Sequence, residues 1–403
     1  MSNPSYDLFS AAFKANPFPT YAAMREDAPV YAHLSPNGKT IWYVTRYEDV
    51  AAVLKDNDHF CKDMHLTLPH DAHSRGKKVS IHQAINQNML FADPPDHTRL
   101  RALVNQAFTP RRIEGMRLRV QEIADGLLDV VAPQGQMDLI ADYALPLPVV
   151  VICDLLGIPA ADQPTVSDWS QVIVSPGSRG LNYRERRQKI RAFVNYLRRL
   201  FAERQQHPQD DLITALVEAE EAGDRLSEAE LSSMVALLLV TGHETTVNLI
   251  GNGTLALLLH PDQLEILRRG PGGWETAVEE LLRYDNPVET STIRWVREDI
   301  VFRGQQMCRG DIMRVVITSA NRDAGQFNRP DELDVMRDDN RHLSFGMGIH
   351  YCLGAPLARL EGIIALETLF RRFPTLQPAL STAEMSWRSG VLLRGLEQLP
   401  LKW

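Results

Sequence analysis

The chain has 403 residues, with 43 Lys+Arg against 51 Asp+Glu and a formal charge of −8. Its 44 % hydrophobic and 23 % charged content is that of a globular protein and excludes disordered or collagen-like classes, while the acidic balance argues against nucleic acid as the main partner, because phosphate binding requires a basic face. Four cysteines, Cys61, Cys153, Cys308 and Cys352, are too few and too scattered for a disulfide framework or a paired-cysteine zinc site. The sequence does not open on a basic segment followed by an apolar one, and the most apolar stretches, 145–158 and 234–240, fall short of the ~20 residues a membrane span needs. The expectation is a soluble, cytoplasmic protein with no membrane partner.

In chain order, β-rich runs at Pro29–Leu34 and Lys39–Thr45 flank the turn signal Ser35-Pro36-Asn37-Gly38. Segment 62–90 is polar and long for a connection, which predicts a lid or binding loop. Its histidines His65, His70, His73 and His82 match no standard metal-ligand spacing. Apolar residues then recur at helical spacing from Thr98 to Val131, from Tyr183 to Arg204 and from Glu228 to Leu259. The last of these opens on a Ser227–Glu230 capping box, closes at His260-Pro261, and would extend ~48 Å. A second β-rich part follows at Glu289–Phe302 and Ile312–Thr318. Nothing marks a domain boundary. The reading is one domain over 1–403, mainly α, with a minor β part at 29–45 and 289–318.

The long helix carries Thr241-Gly242-His243-Glu244-Thr245-Thr246 in its apolar middle. Glycine in a helix interior costs about 1 kcal/mol against alanine, and a buried carboxylate costs several more unless paired. A threonine there can bond the carbonyl four residues back. Taken singly, each residue reads as a kink or a solvated acid; together they imply a polar notch beside a cavity.

Near the C-terminus stands Phe345-Gly346-Met347-Gly348-Ile349-His350-Tyr351-Cys352-Leu353-Gly354. Its glycines allow a tight loop, and Pro356 suits the first turn of a helix running to about Leu369. Cys352 thus precedes a helix N-terminus, where the dipole favours a thiolate. A lone cysteine is more often a buried, inert thiol. A phosphate cradle would need a Gly-Lys-Ser/Thr ending that this loop lacks.

This loop resembles the haem-binding loop of the cytochrome P450 family, matching Phe-Gly-x-Gly-x-His-x-Cys-x-Gly at every position. Three further blocks match in order: Asp93-Pro94-Pro95-Asp96-His97-Thr98-Arg99-Leu100-Arg101, the 241–246 segment, and Glu280-Leu281-Leu282-Arg283. The resemblance implies the family fold, with a long central helix over haem b (iron-protoporphyrin IX). It implies Cys352 as the proximal ligand to the iron, Phe345 packed near its sulfur, and His97, Arg101, Arg294 and His350 as propionate contacts. It further implies Thr245 as hydrogen-bond donor to dioxygen, Glu244 as proton relay, and Glu280–Arg283 as a structural ion pair. Two departures stand out. Thr241 replaces the usual Ala. The segment expected to supply a third partner to the ion pair reads Pro330-Asp331-Glu332-Leu333, leaving Arg322 as a candidate.

The same resemblance implies a monooxygenase that hydroxylates or epoxidises a medium-sized hydrophobic metabolite with O2. Leu238, Thr241, Val288 and Val391, together with 62–90 and about 165–185, would line the substrate pocket. With no flavin, dinucleotide or iron–sulfur unit in the chain, electrons are expected from a ferredoxin or flavodoxin with its reductase. Arg99, Arg111, Arg112, Arg117 and Arg119 would form the docking patch. The alternatives are a peroxide-driven or bond-forming oxidase of the same family, and a non-catalytic haem-binding sensor. The Glu244–Thr245 pair speaks against the sensor, which needs no proton delivery.

Overall fold

A computed structural model describes residues 5–68, 87–174, 182–221, 223–270 and 273–403. The elements used below are, in chain order, β1 (Val30–Leu34), β2 (Thr40–Val44), α1 (Tyr47–Lys55), β3 (Phe60–Cys61), α2 (Asp96–Ala107), α3 (Pro110–Gly115) and α4 (Arg117–Val131). They continue with α5 (Pro146–Leu156), α6 (Tyr183–Gln206), α7 (Glu228–Leu259), α8 (Trp274–Tyr284), β4 (Arg294–Val296), β5 (Ile312–Val315) and α9 (Ala355–Arg372). Backbone contacts divide the chain into two units. The first takes in the described residues up to 68 with 124–144 and 245–403, and the second those of 87–123 and 145–244. Helices predominate, and the strands lie in the two stretches expected plus a few short pairings.

The first unit is built on a five-stranded sheet in the order β1–β2–β5–β4–β3. β1 and β2 form the expected hairpin, Val30 opposite Val44 and Leu34 opposite Thr40. Gly38 turns the chain at φ +79°, which only glycine adopts readily. β5 joins β2 in parallel with Met313 opposite Trp42, and β4 runs antiparallel to β5 with Arg294 opposite Met313. Strand alternation therefore sends Trp42, Val44, Met313 and Val315 into one core with Val53 and Leu54 of α1. Each such apolar side chain contributes about 1.5–3 kcal/mol by leaving water. The expected strand at Ile312–Thr318 stops at Val315, because Ile317–Ala320 coils into a short helix.

In the same unit, Trp274 of α8 stacks on Phe370 of α9 with ring centroids 6.1 Å apart. Gly362 lets α9 approach α7: a Cβ there would lie 2.8 Å from Leu249 Cδ2. The helix after Pro356 extends to Arg372, three residues past the expected end.

In the second unit, the helical spacing from Thr98 to Val131 resolves into three helices. The Thr109 hydroxyl accepts the Arg112 N–H at 3.3 Å and Pro110 opens α3, so α2 and α3 cannot be continuous. α4 then starts at Arg117. α6 matches its expected span within two residues, opens on a capping box at Asn182–Glu185, and buries Ile190, Phe193, Leu197, Leu200 and Phe201 on one face. α7 occupies the residues read from the sequence, with the Ser227–Glu230 box in place. By length and composition α7 could cross a membrane, but 67 % of its most apolar window is buried within the protein, as in a core helix. Segment 69–86 of the expected lid loop, with His70, His73 and His82, lies outside the described residues, as do 175–181; His65 is exposed.

One consequence concerns Glu361 of α9, which is wholly buried. Burial pushes its carboxyl up to about 8, against a weaker opposing pull from the Thr246 hydroxyl. A carboxyl raised in the folded state costs nothing below its unfolded value near 4.5 and progressively more as pH climbs towards 8. Glu361→Gln should therefore gain stability over the parent as pH rises from about 5 to about 8.5, by a few kcal/mol at the upper end. Urea midpoints across that range measure it, and a pH-independent difference would contradict it.

Candidate functional site

The loop that carries Cys352 is tied down by backbone and side-chain bonds within the first unit. The Cys352 N–H donates to the Phe345 carbonyl at 2.9 Å, and the Gly346 N–H to that of Leu343 at 2.8 Å. Asn321 braces the loop from outside: its Oδ1 accepts the Leu343 N–H at 2.8 Å and its Nδ2 donates to Ser344 Oγ at 2.9 Å. Ser344 Oγ in turn donates to the Leu282 carbonyl at 2.7 Å. Gly346 and Gly348 sit at φ +72° and +74°. A Cβ on Gly348 would come within 2.8 Å of the Leu54 carbonyl oxygen, so both backbone sign and space require glycine.

That same Leu54 carbonyl accepts Arg294 Nη2 at 3.3 Å, while Arg294 Nη1 reaches the Phe60 carbonyl at 3.3 Å. The structure thereby brings Arg294, 1 % exposed, to the edge of the cysteine loop. His350 closes a 3-10 turn, Gly348–His350, two residues before the cysteine. Cys352 is an exposed residue and stands two positions before Gly354, the N-cap of α9. Cys61 and Cys153 are buried, and burial with the neighbouring Asp154 charge pushes the Cys153 thiol up to about 12. Cys308 is exposed as well, so what separates Cys352 from the other three as a nucleophile or metal ligand is its position before a helix N-terminus.

Glu280 and Arg283 pair as expected and more deeply, both 0 % exposed. Arg283 grips the carboxylate through Nε at 2.7 Å and Nη2 at 2.8 Å. The third partner is Arg337, whose Nε lies 3.0 Å from Glu280 Oε2, with Asn340 Nδ2 at 3.1 Å and the Asp334 N–H at 2.9 Å. This corrects the candidate from the sequence, Arg322. Glu332 takes part through its carbonyl oxygen, shared by Arg283 at 2.9 Å and Arg337 at 3.2 Å. Arg322 instead donates to the Tyr284 carbonyl at 2.7 and 3.0 Å, and its Nη1 lies 3.3 Å from Asp331. Arg337 lies five residues beyond Glu332, and no local pattern flags it.

In the second unit, His97 and Arg101 lie four residues apart on α2, His97 2 % exposed and Arg101 half-buried. Along α7, Leu238 is buried, Thr241 donates its hydroxyl to the Leu237 carbonyl at 2.8 Å, and His243 Nδ1 meets the Leu239 carbonyl at 2.6 Å. That carbonyl can only accept, so His243 carries its proton on Nδ1. Gly242 faces α5, where a Cβ would lie 3.2 Å from Ile152 Cγ1. The glycine thus serves close helix packing, and the helix runs on without interruption. Glu244 and Thr245 follow, both half-buried, at the point where the chain passes from the second unit into the first.

Two expected pocket segments meet in the first unit: Val288 bridges Leu393, and Thr290 Oγ1 donates to the Val391 carbonyl at 2.7 Å. The expected docking patch, in contrast, is largely neutralised. Arg99 pairs with Glu230 and Asp224, Arg117 with Glu114, and Arg119 with Asp154 and Glu122. Arg112 holds the Asp211 carbonyl at 2.7 Å and Asp210 at 3.4 Å. Only Arg111 of the five has no ion pair among the described residues. Glu114 and Glu122 stand three residues from their partners on the same stretch of chain, while Glu230, Asp224, Asp154 and Asp210 are brought in from other segments.

Comparison with known proteins gives a match to the family model described as Cytochrome P450 over residues 14–269 and 274–397. The polyketide biosynthesis cytochrome P450 PksS of Bacillus subtilis (strain 168) is 45 % identical, over 96 % of each chain. Its solved structure superposes with a TM-score of 0.92, covering 99 % of each chain. The vitamin D(3) 25-hydroxylase of Pseudonocardia autotrophica is 43 % identical over 98 % of this chain and 96 % of its own. A structure of P450BioI with a hexadec-9Z-enoic acid-ligated acyl carrier protein matches at 38 % identity and TM-score 0.86, over 98 % of this chain and 100 % of that one.

The Glu280 cluster yields a stability test. Arg337→Met leaves a buried carboxylate with one cation fewer and should cost about 3 kcal/mol. Arg329→Ala, on an exposed pair with Glu332, should stay within about 0.5 kcal/mol of the parent. Denaturant midpoints at unchanged slope compare them.

Proposed function

Because the chain belongs to the cytochrome P450 family, and is a haem b-dependent monooxygenase using O2 and electrons from a redox partner, we propose that Cys352 supplies the thiolate to the haem iron. The single observation that carries this reading is the position of Cys352 just before the N-terminus of α9, on a loop closed by its own amide. The residues present fit the group. Cys352 stands just before α9, and a helix N-terminus favours a negatively charged ligand. When bound, haem b supplies the iron at which dioxygen is activated for insertion of one oxygen atom into the substrate, with thiolate ligation favouring O–O cleavage.

The remaining roles belong to the chain. Phe345 covers the approach to the sulfur and limits water there. Arg294, His350, His97 and Arg101 take the propionates, matching anionic groups with guanidinium and imidazole donors. Glu244 holds a proton and passes it to Thr245 Oγ1, which hands its own hydrogen inward to dioxygen; consecutive placement on α7 sets acid and alcohol about 100° apart on the helix. Leu238 and Thr241 in the second unit, and Val288 and Val391 in the first, are substrate contacts, and the substrate is a medium-sized hydrophobic metabolite; the relatives' names mention polyketide biosynthesis and vitamin D(3). The electron donor is a ferredoxin or flavodoxin with its reductase. The chain works as one P450 domain in the cytoplasm.

Two measurements test this. Reduced native protein under carbon monoxide should give a strongly red-shifted Soret band that Cys352→Ser abolishes; well-folded, haem-replete native protein without the band would remove Cys352 as ligand. Thr245→Ala should raise peroxide released per NAD(P)H consumed several-fold, and unaltered coupling would deny Thr245 its part in proton delivery.

A further inference from the structure

We infer that Arg359 and Glu279 form a clamp that positions the Cys352 loop by gripping the Phe345 ring. The inference rests on the reading of Cys352 as the thiolate ligand. Glu279 stands next to Glu280 on α8 but points into a different cluster. It receives both arms of Arg359 from α9, Nε to Oε1 at 2.6 Å and Nη2 to Oε2 at 2.8 Å. This parallel fork fixes the plane of the guanidinium, which a single contact would leave free to swing. So held, the guanidinium carbon lies 4.3 Å from the centroid of the Phe345 ring, within cation–π range.

Glu279 reaches the loop a second time. Its Oε2 is 3.1 Å from His342 Nε2, and His342 Nδ1 accepts the Ser344 N–H at 3.2 Å. The acceptor role of Nδ1 places the ring proton on Nε2, which donates to the carboxylate. One carboxylate thus connects α8, α9 and the loop at both residue 342 and, through Arg359, residue 345. Phe345 in turn accepts the Cys352 amide at 2.9 Å, so a shift of its backbone is passed to the cysteine. Arg359 Nη1 also lies 3.4 Å from Tyr351 Oη, beside Cys352 in the chain. Burial would raise the Glu279 carboxyl, but the hydrogen bonds from Arg359 and His342 prevail and bring it to about 2. The pair stays charged at every working pH.

Arg359 and Glu279 side chains are 32 % and 29 % exposed, and ion pairs so open to water contribute little to stability. Orientation is what the fork adds, which makes both residues positioning residues. Lysine keeps the charge at 359 and loses the plane. Glutamine at 279 keeps hydrogen-bonding atoms and loses the charge, leaving the Arg359 cation uncompensated over the Phe345 ring.

The test uses haem-loaded Arg359→Lys and Glu279→Gln proteins alongside the native form. Two properties are read: the rate at which the red-shifted ferrous–carbon monoxide Soret band is lost, and the ferric/ferrous midpoint potential. The clamp predicts at least several-fold faster loss of the band in Arg359→Lys, with thermal stability little changed, and a more positive potential in Glu279→Gln. Native band kinetics and potential in both variants would overturn the clamp, whatever happens to stability. Should Arg359→Lys not fold, Glu279→Gln decides by the same two readings. A native protein that never shows the red-shifted band would overturn the ligand assignment and the clamp with it.

Discussion

A carboxylate sealed from water governs the C-terminal half of this protein. Glu280 has no exposed surface, and its charge is tolerated because two guanidinium groups and a carboxamide converge on it. To reach it, the segment from Asn328 to Asn340 must fold inward, since Arg337 bonds the carbonyls of Asn328, Arg329 and Glu332 on its way. Arg283 extends the cluster to the Asn321 carbonyl at 3.0 Å. From Asn321 the side-chain bonds to Leu343 and Ser344 hold the first residues of the cysteine loop. Loop geometry is thus inherited from a cluster that takes no part in the chemistry.

Adjacent glutamates on α8 divide the labour by facing different ways. Glu280 faces the dry interior, and removing a partner there exposes a bare charge. Glu279 faces a half-wet groove, where the same fork of arginine is worth little as energy and much as direction. The contrast follows from dielectric surroundings alone, because residue type and geometry are nearly the same.

Much of this was legible in the sequence where the governing interactions are local. The hairpin at 30–44 follows from strand alternation around Gly38, and α7 from a capping box, sustained periodicity and a proline stop. Cys352 was marked by spacing to glycines and to Pro356. What escaped had non-local causes. Pro110 broke a helical rhythm that apolar spacing alone continued. Arg337 reached Glu280 across 57 residues, and Arg99, Arg112 and Arg119 meet Glu230, Asp210 and Asp154, acids whose proximity only folding creates. Gly242 drew attention as a defect in a helix, yet its reason lies on another helix, at Ile152.

The hydroxyl of Thr241 is already committed as a donor, its hydrogen going to the Leu237 carbonyl at 2.8 Å. On the proposed reading of Thr241 as a substrate contact, the oxygen that replaces the usual Ala would therefore add polarity to that position without adding a donor for a ketone or ether oxygen of a guest.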